Sequence, residues 1–439
     1  MSDNQHKPRV LIVSRAVWED NRGTSSTLTN LFSDYGADRL AHIYIETKIP
    51  NTKCCDHFFQ ISEFALIKRL FNFRIKTGRE THNGETVQNA EILQTAKKES
   101  GIMSYVRSHR SYLFSFLREL LWAFNGWKSK ELCQFIVDFK PDVVWVDGSP
   151  LILMNRLGLY VKRIANKPCA HFLQDDAYTY KSCSGWASKI FRCAIRPHIK
   201  RLVKESSTVF VASPKMKEEY DAIFGINSIF LAKGADFSTH QDIEHTLNKP
   251  LRLVYLGQVI YGRIYSLISL SKVLQAINKD KVKAQLFVYT NNAISDELKK
   301  QLLAGNSTFL VPPVPYNEVA NVIHDADIVV FVESFERKYK NVARLSFSTK
   351  LCDYLSSGRA ILAVGPEDIA PMNYLKDNKA AFVCISCEEI APTLETATNN
   401  PDLVQQMATQ SYACAKRNHD IKDIHRLVES TIATCAKGK

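Results

Sequence analysis

Short apolar, β-branched runs recur along the chain and alternate with stretches of helical character. This alternation is typical of parallel strands joined by crossover helices. The runs form two sets, separated by a polar stretch at 238–250. The first set is 9–14, 40–45, 57–61, 142–146, 169–173, 208–212 and 228–231, and the second is 251–256, 284–289, 308–311, 327–332, 360–364 and 381–385. The pattern predicts an α/β protein with two doubly wound, Rossmann-like parallel-sheet domains.

Chain length supports the same division. With 439 residues and 45% hydrophobic content, the chain can bury more apolar surface than one core usually holds. We predict an N-terminal Rossmann-like domain at 1–237 and a C-terminal one at 238–418, followed by a tail at 419–439. Residues at about 62–130 show no clear continuation of the strand pattern and are predicted to be an insertion in the first domain.

Residues 1–9 are polar, and the apolar run that follows is too short for a signal peptide or a membrane span. No other stretch of the sequence reaches spanning length. The eleven cysteines show no metal-type pairing and fall mostly in apolar runs, which favours reduced, structural thiols. We therefore expect a cytoplasmic protein.

The formal net charge of +12 indicates an anionic partner. Cations and aromatic residues are mixed in two segments, 68–79 and 105–130. This mixture suits an anionic membrane surface on the inner face of the cytoplasmic membrane, or a lipid-linked substrate. A surface helix whose aromatic residues enter the core is the alternative. No nucleic-acid partner is expected, because RNP-type and zinc-finger patterns are absent. The cations concerned are Lys68, Arg69, Arg74, Lys76 and Arg79, then Arg107, Arg110, Arg118, Lys128 and Lys130.

In open parallel sheets, ligands bind beyond the carboxyl ends of the strands. In the first half, Gly23 follows the first strand and precedes four small hydroxyl residues, as in a phosphate-binding turn or a plain helix cap. After the strand at 169–173 come Asp175 and Asp176, which could orient an acceptor hydroxyl or accept its proton. A turn or helix cap is the alternative for these two aspartates. His171 and Tyr178 flank them as candidate acceptor contacts.

The second half offers candidate phosphate-binding residues. Gly257 and Gly262 follow the strand at 251–256, and Arg263 stands at a predicted helix start with a fork of donors suited to a diphosphate. After the strand at 327–332, cations and hydroxyls precede another predicted helix, with an acid one turn into it. Those residues are Glu333, Arg344, Ser346, Ser348, Thr349, Lys350 and Asp353. They are predicted to bind a diphosphate without a metal, and no cofactor is expected.

This last stretch resembles the retaining GT-B glycosyltransferases, which carry a run of the form [ST]-K-x-x-[DE]-Y-[LM]-x-x-G-[KR]-x-I-L-A. The matching residues are Thr349, Lys350, Asp353, Tyr354, Leu355, Gly358, Arg359, Ile361, Leu362 and Ala363. Three weaker landmarks agree in order: the loop with Gly23, the sequence Lys233-Gly234-Ala235-Asp236, and the loop from Gly257 to Arg263. The resemblance spans most of the chain, although 68–130 has no counterpart.

The resemblance implies two domains that face each other across a cleft. The nucleotide sugar would bind to the C-terminal domain, with Arg263 and Lys350 near its diphosphate and Asp353 near its ribose. The acceptor would bind to the N-terminal domain, to which the amphipathic tail at 421–432 would return. The chain departs from the family at one point. Glu333 is the candidate for the first acid of the Glu-x7-Glu element, yet Leu345 stands at that spacing. Either an insertion at 336–342 displaces the acid, or the contact with the donor sugar is lost.

The function expected from this resemblance is transfer of a sugar from a nucleotide-diphosphate sugar to a saccharide or lipid-linked acceptor of the bacterial envelope, with retention of anomeric configuration. Arg263, Lys350 and Arg344 would stabilise the leaving group, and Asp175 or Asp176 would orient the acceptor. An inverting transferase, with Asp175, Asp176 or His171 as base, and a nucleotide-sugar epimerase are alternatives. A non-catalytic basic protein that binds membrane or nucleic acid is an alternative of another class.

Overall fold

The computed structural model describes residues 7–20, 23–85, 112–124, 126–238, 243 and 245–438. The chain divides into two compact units. Unit 1 consists of Met1–Ala212, Met216–Leu231 and Asp423–Lys439, and unit 2 of Ser213–Lys215 and Ala232–Lys422. Each unit is built on its own sheet.

The sheet of unit 1 has eight strands in the order β4-β3-β2-β1-β5-β6-β7-β8. Neighbouring strands are parallel, except that β4 at one edge runs antiparallel to β3. The strands are β1 Val10–Val13, β2 Leu40–Tyr44, β3 His57–Ile61, β4 Gly78–Thr81, β5 Val143–Asp147, β6 Cys169–Leu173, β7 Thr208–Val211 and β8 Ile229–Phe230.

The helices that accompany these strands bury apolar stripes. They are α1 Gly23–Phe32, α2 Glu63–Arg69, α3 Tyr112–Ala123, α4 Lys130–Phe139, α5 Ile152–Ala165, α6 Trp186–Glu205 and α7 Pro214–Phe224. Helix α4 shows how the local sequence determines where a helix begins and which face it buries. Ser129 caps its start by accepting a hydrogen bond from the Leu132 amide at 3.1 Å, and Leu132, Phe135, Ile136 and Phe139 recur at helical spacing and are all buried.

Unit 2 contains a six-stranded, fully parallel sheet in the order β11-β10-β9-β12-β13-β14. Its strands are β9 Leu251–Leu256, β10 Ala284–Tyr289, β11 Thr308–Val311, β12 Ile328–Val332, β13 Ala360–Val364 and β14 Phe382–Cys384. Its helices are α8 Arg263–Ile277, α9 Asp296–Leu302, α10 Val319–His324, α11 Arg337–Ala343, α12 Thr349–Leu355, α13 Ala370–Asp377, α14 Ile390–Asn399 and α15 Pro401–Asn418. Two short 3₁₀ helices lie at Ala37–Arg39 and Tyr316–Glu318.

The final helix, α16 Ile421–Ala436, belongs to unit 1 from Asp423 onward. His425 lies 2.8 Å from the carbonyl oxygen of Asn30, and Lys7 forms an ion pair with Glu429 at 3.0 Å. The buried residues of the helix, Ile424, Val428, Ile432 and Cys435, recur every three or four positions.

The predicted α/β class with two parallel-sheet domains is confirmed, and each predicted strand is present to within two residues at either end. Strand β4 was not predicted. Its sequence, Gly-Arg-Glu-Thr, has no apolar alternation, and it exists because its backbone pairs with β3 at the sheet edge. In the part of the chain that the structure describes, no helix is both long and apolar enough to cross a membrane.

Candidate functional site

A cavity of about 220 Å³ lies in unit 2, where β9 and β12 end. Its walls come from these strand ends, from the start of α8 and from the start of α12. The lining residues are Tyr255, Leu256, Gln258, Arg263, Val330, Phe331, Val332, Glu333, Ser348, Lys350 and Tyr354. Four predicted donor-binding residues therefore meet at one place: Arg263, Glu333, Ser348 and Lys350.

Arg263 and Glu333 form a bidentate ion pair inside this cavity. Arg263 Nε donates to Glu333 Oε2 at 3.1 Å, and Nη2 donates to Oε1 at 2.7 Å. Glu333 follows β12 directly and is fixed by its backbone, since its amide donates to the Val364 carbonyl and its carbonyl accepts from Ser266 Oγ. The guanidinium is thus held in one orientation at the strand ends.

Lys350 lies in the first turn of α12 and extends its ammonium group to the Leu256 carbonyl oxygen at 3.1 Å. Burial, together with the neighbouring Arg263 guanidinium, lowers the pKa of Lys350 to about 8. Glu333 and Asp353 act in the opposite direction. The second cation of the cavity is therefore partly desolvated and titrates close to neutral pH.

Two glycines make room for these side chains. Gly257 follows β9 with φ of 151°, and a Cβ at this position would overlap the Lys350 ammonium group. Gly262 precedes α8 with φ of 74°, and a Cβ there would overlap Ser334 Oγ and come within 2.6 Å of the Tyr339 ring. A larger residue at Gly257 would displace the Lys350 ammonium from the cavity wall, and one at Gly262 would collide with Ser334 and Tyr339 beside the start of α8.

The other predicted donor residues of unit 2 do not line the cavity. Thr349 begins α12, while Arg344 is buried before it and accepts a hydrogen bond on its carbonyl from the Ala370 amide. Asp353, one turn into α12, forms an ion pair with Lys233 at 2.5 Å. The two sequence landmarks that contain Lys233 and Asp353 are thus joined within unit 2.

In unit 1, Gly23 begins α1 after β1, as the sequence predicts. Asp175 and Asp176 follow β6 but have different surroundings. Asp175 is exposed. The Asp176 carboxylate is buried and accepts hydrogen bonds from the amides of Tyr178 and Thr179, from the Thr179 hydroxyl and from the Tyr220 hydroxyl. These hydrogen bonds are those expected of the turn-cap alternative for Asp176.

The predicted acceptor contacts His171 and Tyr178 are also interior residues, which corrects that expectation. His171 is 1% exposed within β6, and burial lowers its pKa to about 3, so it is neutral and enclosed. Tyr178 is buried as well, with its ring 4.5 Å from that of Phe224 and beneath the Arg196 guanidinium. Both side chains pack in the core of unit 1.

Sequence reasoning missed Asp147, the last residue of β5. Gln174 Nε2 donates to its Oδ1 at 2.5 Å, and burial raises the pKa of Asp147 to about 7, with the Asp175 charge adding to the effect. Because β5 and β6 are adjacent, their carboxyl ends bring Asp147, Gln174 and Asp175 together. The sequence signal that could have identified Asp147 is its position as a carboxylate at the end of an apolar strand.

The described residues contain no cluster of three or more histidine, cysteine or acidic side chains arranged to hold a metal ion. The charged residues that line the cavity in unit 2 are two cations, Arg263 and Lys350, and one carboxylate, Glu333. Its chemistry is that of an anion-binding pocket with one carboxylate at its floor.

Two α/β units, each built on its own sheet of mainly parallel strands, are the architecture of the GT-B fold. No protein-family model and no curated protein matches the chain in sequence, but solved structures match it along almost its whole length.

HepE of Anabaena, solved in complex with UDP and glucose, is 10% identical, with a TM-score of 0.61 over 97% of this chain and 100% of that one. TarM is 10% identical, with a TM-score of 0.62 over 98% and 99%. Sucrose-phosphate synthase from Thermosynechococcus elongatus is 11% identical, with a TM-score of 0.58 over 98% and 99%. At such identities the likeness establishes the fold.

Proposed function

We propose that the chain is a glycosyltransferase that binds a nucleotide-diphosphate sugar in the cavity of unit 2 and an acceptor on unit 1. The observation that carries this proposal is the convergence of Arg263 and Lys350 on one cavity at the strand ends. The solved structures of HepE with UDP and glucose, and with UDP-glucose, support the choice of ligand class.

The two cations have complementary tasks in this proposal. The Arg263 guanidinium, fixed by Glu333, offers a rigid fork to the phosphate oxygens, while the Lys350 ammonium is a compact charge that can follow the phosphate. A diphosphate gains negative charge as the sugar departs. Cations held in place before the reaction stabilise that charge without reorganising, so their effect is larger in the transition state than in the ground state.

The proposed reaction retains the anomeric configuration. The bond between the anomeric carbon and the phosphate oxygen breaks, and the acceptor hydroxyl forms its new bond on the same face of the sugar. A donor phosphate oxygen takes the hydroxyl proton, so no side chain needs to act as base. Ser348, Glu333 and Asp353 are proposed to bind the donor's hydroxyls, with Asp353 serving the ribose, and no metal takes part.

On the acceptor side, Asp175 is the proposed orienting group because it is exposed at the end of β6. The acceptor is proposed to be a saccharide or lipid-linked saccharide of the bacterial envelope. One observation favours an inverting reaction instead. Asp147 has a pKa near neutrality, as a general base for a sugar hydroxyl would require. The anomeric configuration of the product, measured by NMR, distinguishes the two mechanisms.

The test is nucleotide release from UDP-, GDP-, dTDP- and ADP-sugars, each with saccharide acceptors, with lipid-linked acceptors and with water alone. Lys350→Ala is expected to abolish release, while Lys299→Ala, which removes an exposed lysine of α9, should behave as wild type. Acceptor-dependent release from one donor would support the transferase. Conversion of a nucleotide sugar without acceptor would indicate an epimerase, and failure of all four donors to bind would refute the proposal.

A further inference from the structure

Unit 1 exposes a cluster of large apolar side chains around α2 and the turn that follows it. Phe71 and Phe73 are 87% and 79% exposed, and Ile67 and Leu70 are exposed beside them. Full exposure of two phenylalanine rings in one turn is costly in water, and such patches commonly mark an interaction surface. We call residues 67–76 the basic-aromatic turn.

Helix α3 extends this apolar surface. Arg118 of α3 pairs with Glu63 of α2 at 2.6 Å, and Thr77 donates to the Gly126 carbonyl at 2.9 Å just beyond the end of α3. These bonds hold the basic-aromatic turn beside the carboxyl end of α3. The exposed large apolar residues here are Phe116, Leu117 and Leu120 of α3 and Phe124, which directly follows the helix.

The basic-aromatic turn lies in a positively charged part of the sequence. Residues 64–79 contain five cations and no carboxylate. Lys68 and Arg74 are exposed, and Arg69 donates to the Ile75 carbonyl at 2.7 Å, which fixes the shape of the turn. Lys76 and Arg79 form ion pairs with Glu131 and Glu85, so the surface charge comes from Lys68 and Arg74. Exposed rings beside these two cations match the chemistry of an anionic bilayer surface, where apolar groups enter the acyl boundary and cations meet phosphate groups.

We propose that the basic-aromatic turn, together with the exposed face of α3, docks unit 1 onto an anionic phospholipid bilayer. A second copy of the chain is a poor occupant, because a symmetric dimer would set the cations of one turn against those of the other. Docking goes beyond sugar transfer and does not depend on it. It would place the protein where a lipid-linked substrate is found.

The two interpretations that the sequence left open for 105–130 each describe part of this region. Trp122 and Trp127 are fully buried, and the Trp122 indole donates to Glu63, so these aromatic residues enter the core. Phe116 and Phe124 instead face solvent. The predicted basic positions Arg107 and Arg110 lie outside the described residues, and the docking surface is built without them.

The test is co-sedimentation of the full chain with vesicles of phosphatidylcholine, with and without phosphatidylglycerol, at low and high salt. Wild type is expected to bind only the anionic vesicles, and more weakly at high salt. Each exposed cation contributes about a fivefold change in binding, so Lys68→Gln with Arg74→Gln should weaken binding about 25-fold. Phe71→Ser with Phe73→Ser should reduce it to the level seen with neutral vesicles.

The loop at 279–283 of unit 2 provides matched controls, because it also exposes lysines and an apolar residue. Lys279→Gln with Lys281→Gln, and Val282→Ser, should bind vesicles as wild type does. Wild-type affinity in the Phe71 and Phe73 variant, or equal binding to neutral vesicles, would overturn the proposal. So would a dimer, or a complex with an acidic protein, that this variant abolishes while vesicle binding persists. UDP binding, measured separately, reports on the donor site alone.

Discussion

Arg263 binds both carboxylate oxygens of Glu333, at 3.1 and 2.7 Å. The carboxylate of Glu333 is thereby engaged by Arg263, and the second cation of the cavity is Lys350, which is half-buried and donates its ammonium to the Leu256 carbonyl oxygen. The affinity of the cavity for an anion therefore depends on the protonation of Lys350. Arg263 supplies orientation, and Lys350 supplies the charge that changes with pH.

UDP binding is accordingly expected to weaken as the pH rises through about 8, the pKa of Lys350 in the free protein. Above that pH, binding must be accompanied by proton uptake, so the dissociation constant should rise by up to about tenfold per pH unit. Lys350→Arg keeps its charge and should remove this dependence. Isothermal titration calorimetry between pH 7 and pH 10 measures both proteins, and an unchanged slope in Lys350→Arg would refute the assignment.

Glu333→Gln should move the midpoint of this pH dependence downward. The Glu333 carboxylate raises the pKa of Lys350, and Arg263 lowers it. Removing the carboxylate leaves the guanidinium unopposed, so Lys350 should lose its proton at a lower pH. The same calorimetric series measures the shift, with Glu297→Gln on exposed α9 as the control. A midpoint that stays in place would mean that Glu333 does not influence Lys350.

Gly257→Ala is expected to lower the affinity for UDP about as much as Lys350→Ala does, by roughly tenfold or more. The new methyl group would occupy the place of the Lys350 ammonium and displace it from the Leu256 carbonyl. The variant that combines Gly257→Ala with Lys350→Ala should therefore lose no more affinity for UDP than either single variant. Gly225→Ala also has positive φ, but open space around its Cβ position, and separates backbone strain from the collision.

Local pattern predicted the two sheets because each core strand carries its own apolar signature, as Val10–Val13 and Ile328–Val332 do. The family resemblance, and not the local pattern, implied that Arg263 and Lys350 would lie near one ligand, and both line the same cavity. The pairing of Arg263 with Glu333 did not follow from spacing. It depends on the side-chain directions at two loops that are far apart in the sequence.

The acceptor-side prediction was weaker for a related reason. Sequence places Asp175 and Asp176 side by side, but only the fold shows that one faces solvent and the other caps a turn. His171 lies in a strand that is buried on both faces. A polar residue in such a strand is enclosed, and the sequence pattern alone does not distinguish it from a ligand contact. The raised pKa of Asp147 could not be predicted from the sequence, because burial causes it and burial depends on the fold.

In the inverting alternative, with Asp147 as the base, acceptor-dependent turnover is expected to have a pH dependence centred near 7, the pKa to which burial raises this carboxyl group. The retaining reaction predicts no dependence on Asp147. The hydrogen bond from Gln174 lowers that pKa, so Gln174→Ala should move the midpoint of kcat/KM upward. Asp147→Asn should abolish this pH dependence. Asp138→Asn, which changes an exposed carboxylate of α4, serves as the control. A pH dependence that persists in Asp147→Asn would assign the titration to another group.

Glu119 is expected to couple the stability of unit 1 to pH. Its carboxylate crosses from α3 to cap α5, accepting the amides of Ile152 and Leu153 at 2.8 Å each, and burial raises its pKa from 4.5 to about 7. The folded protein therefore holds an extra proton between these values, so the free energy of unfolding should fall by up to roughly 3 kcal/mol as pH rises through this range. Glu119→Gln should lack this fall, whereas Glu119→Ala, which strands both amides, should cost about 2 kcal/mol at pH 7. Urea unfolding monitored by tryptophan fluorescence at several pH values measures all three proteins, and equal pH slopes in wild type and Glu119→Gln would refute the assignment.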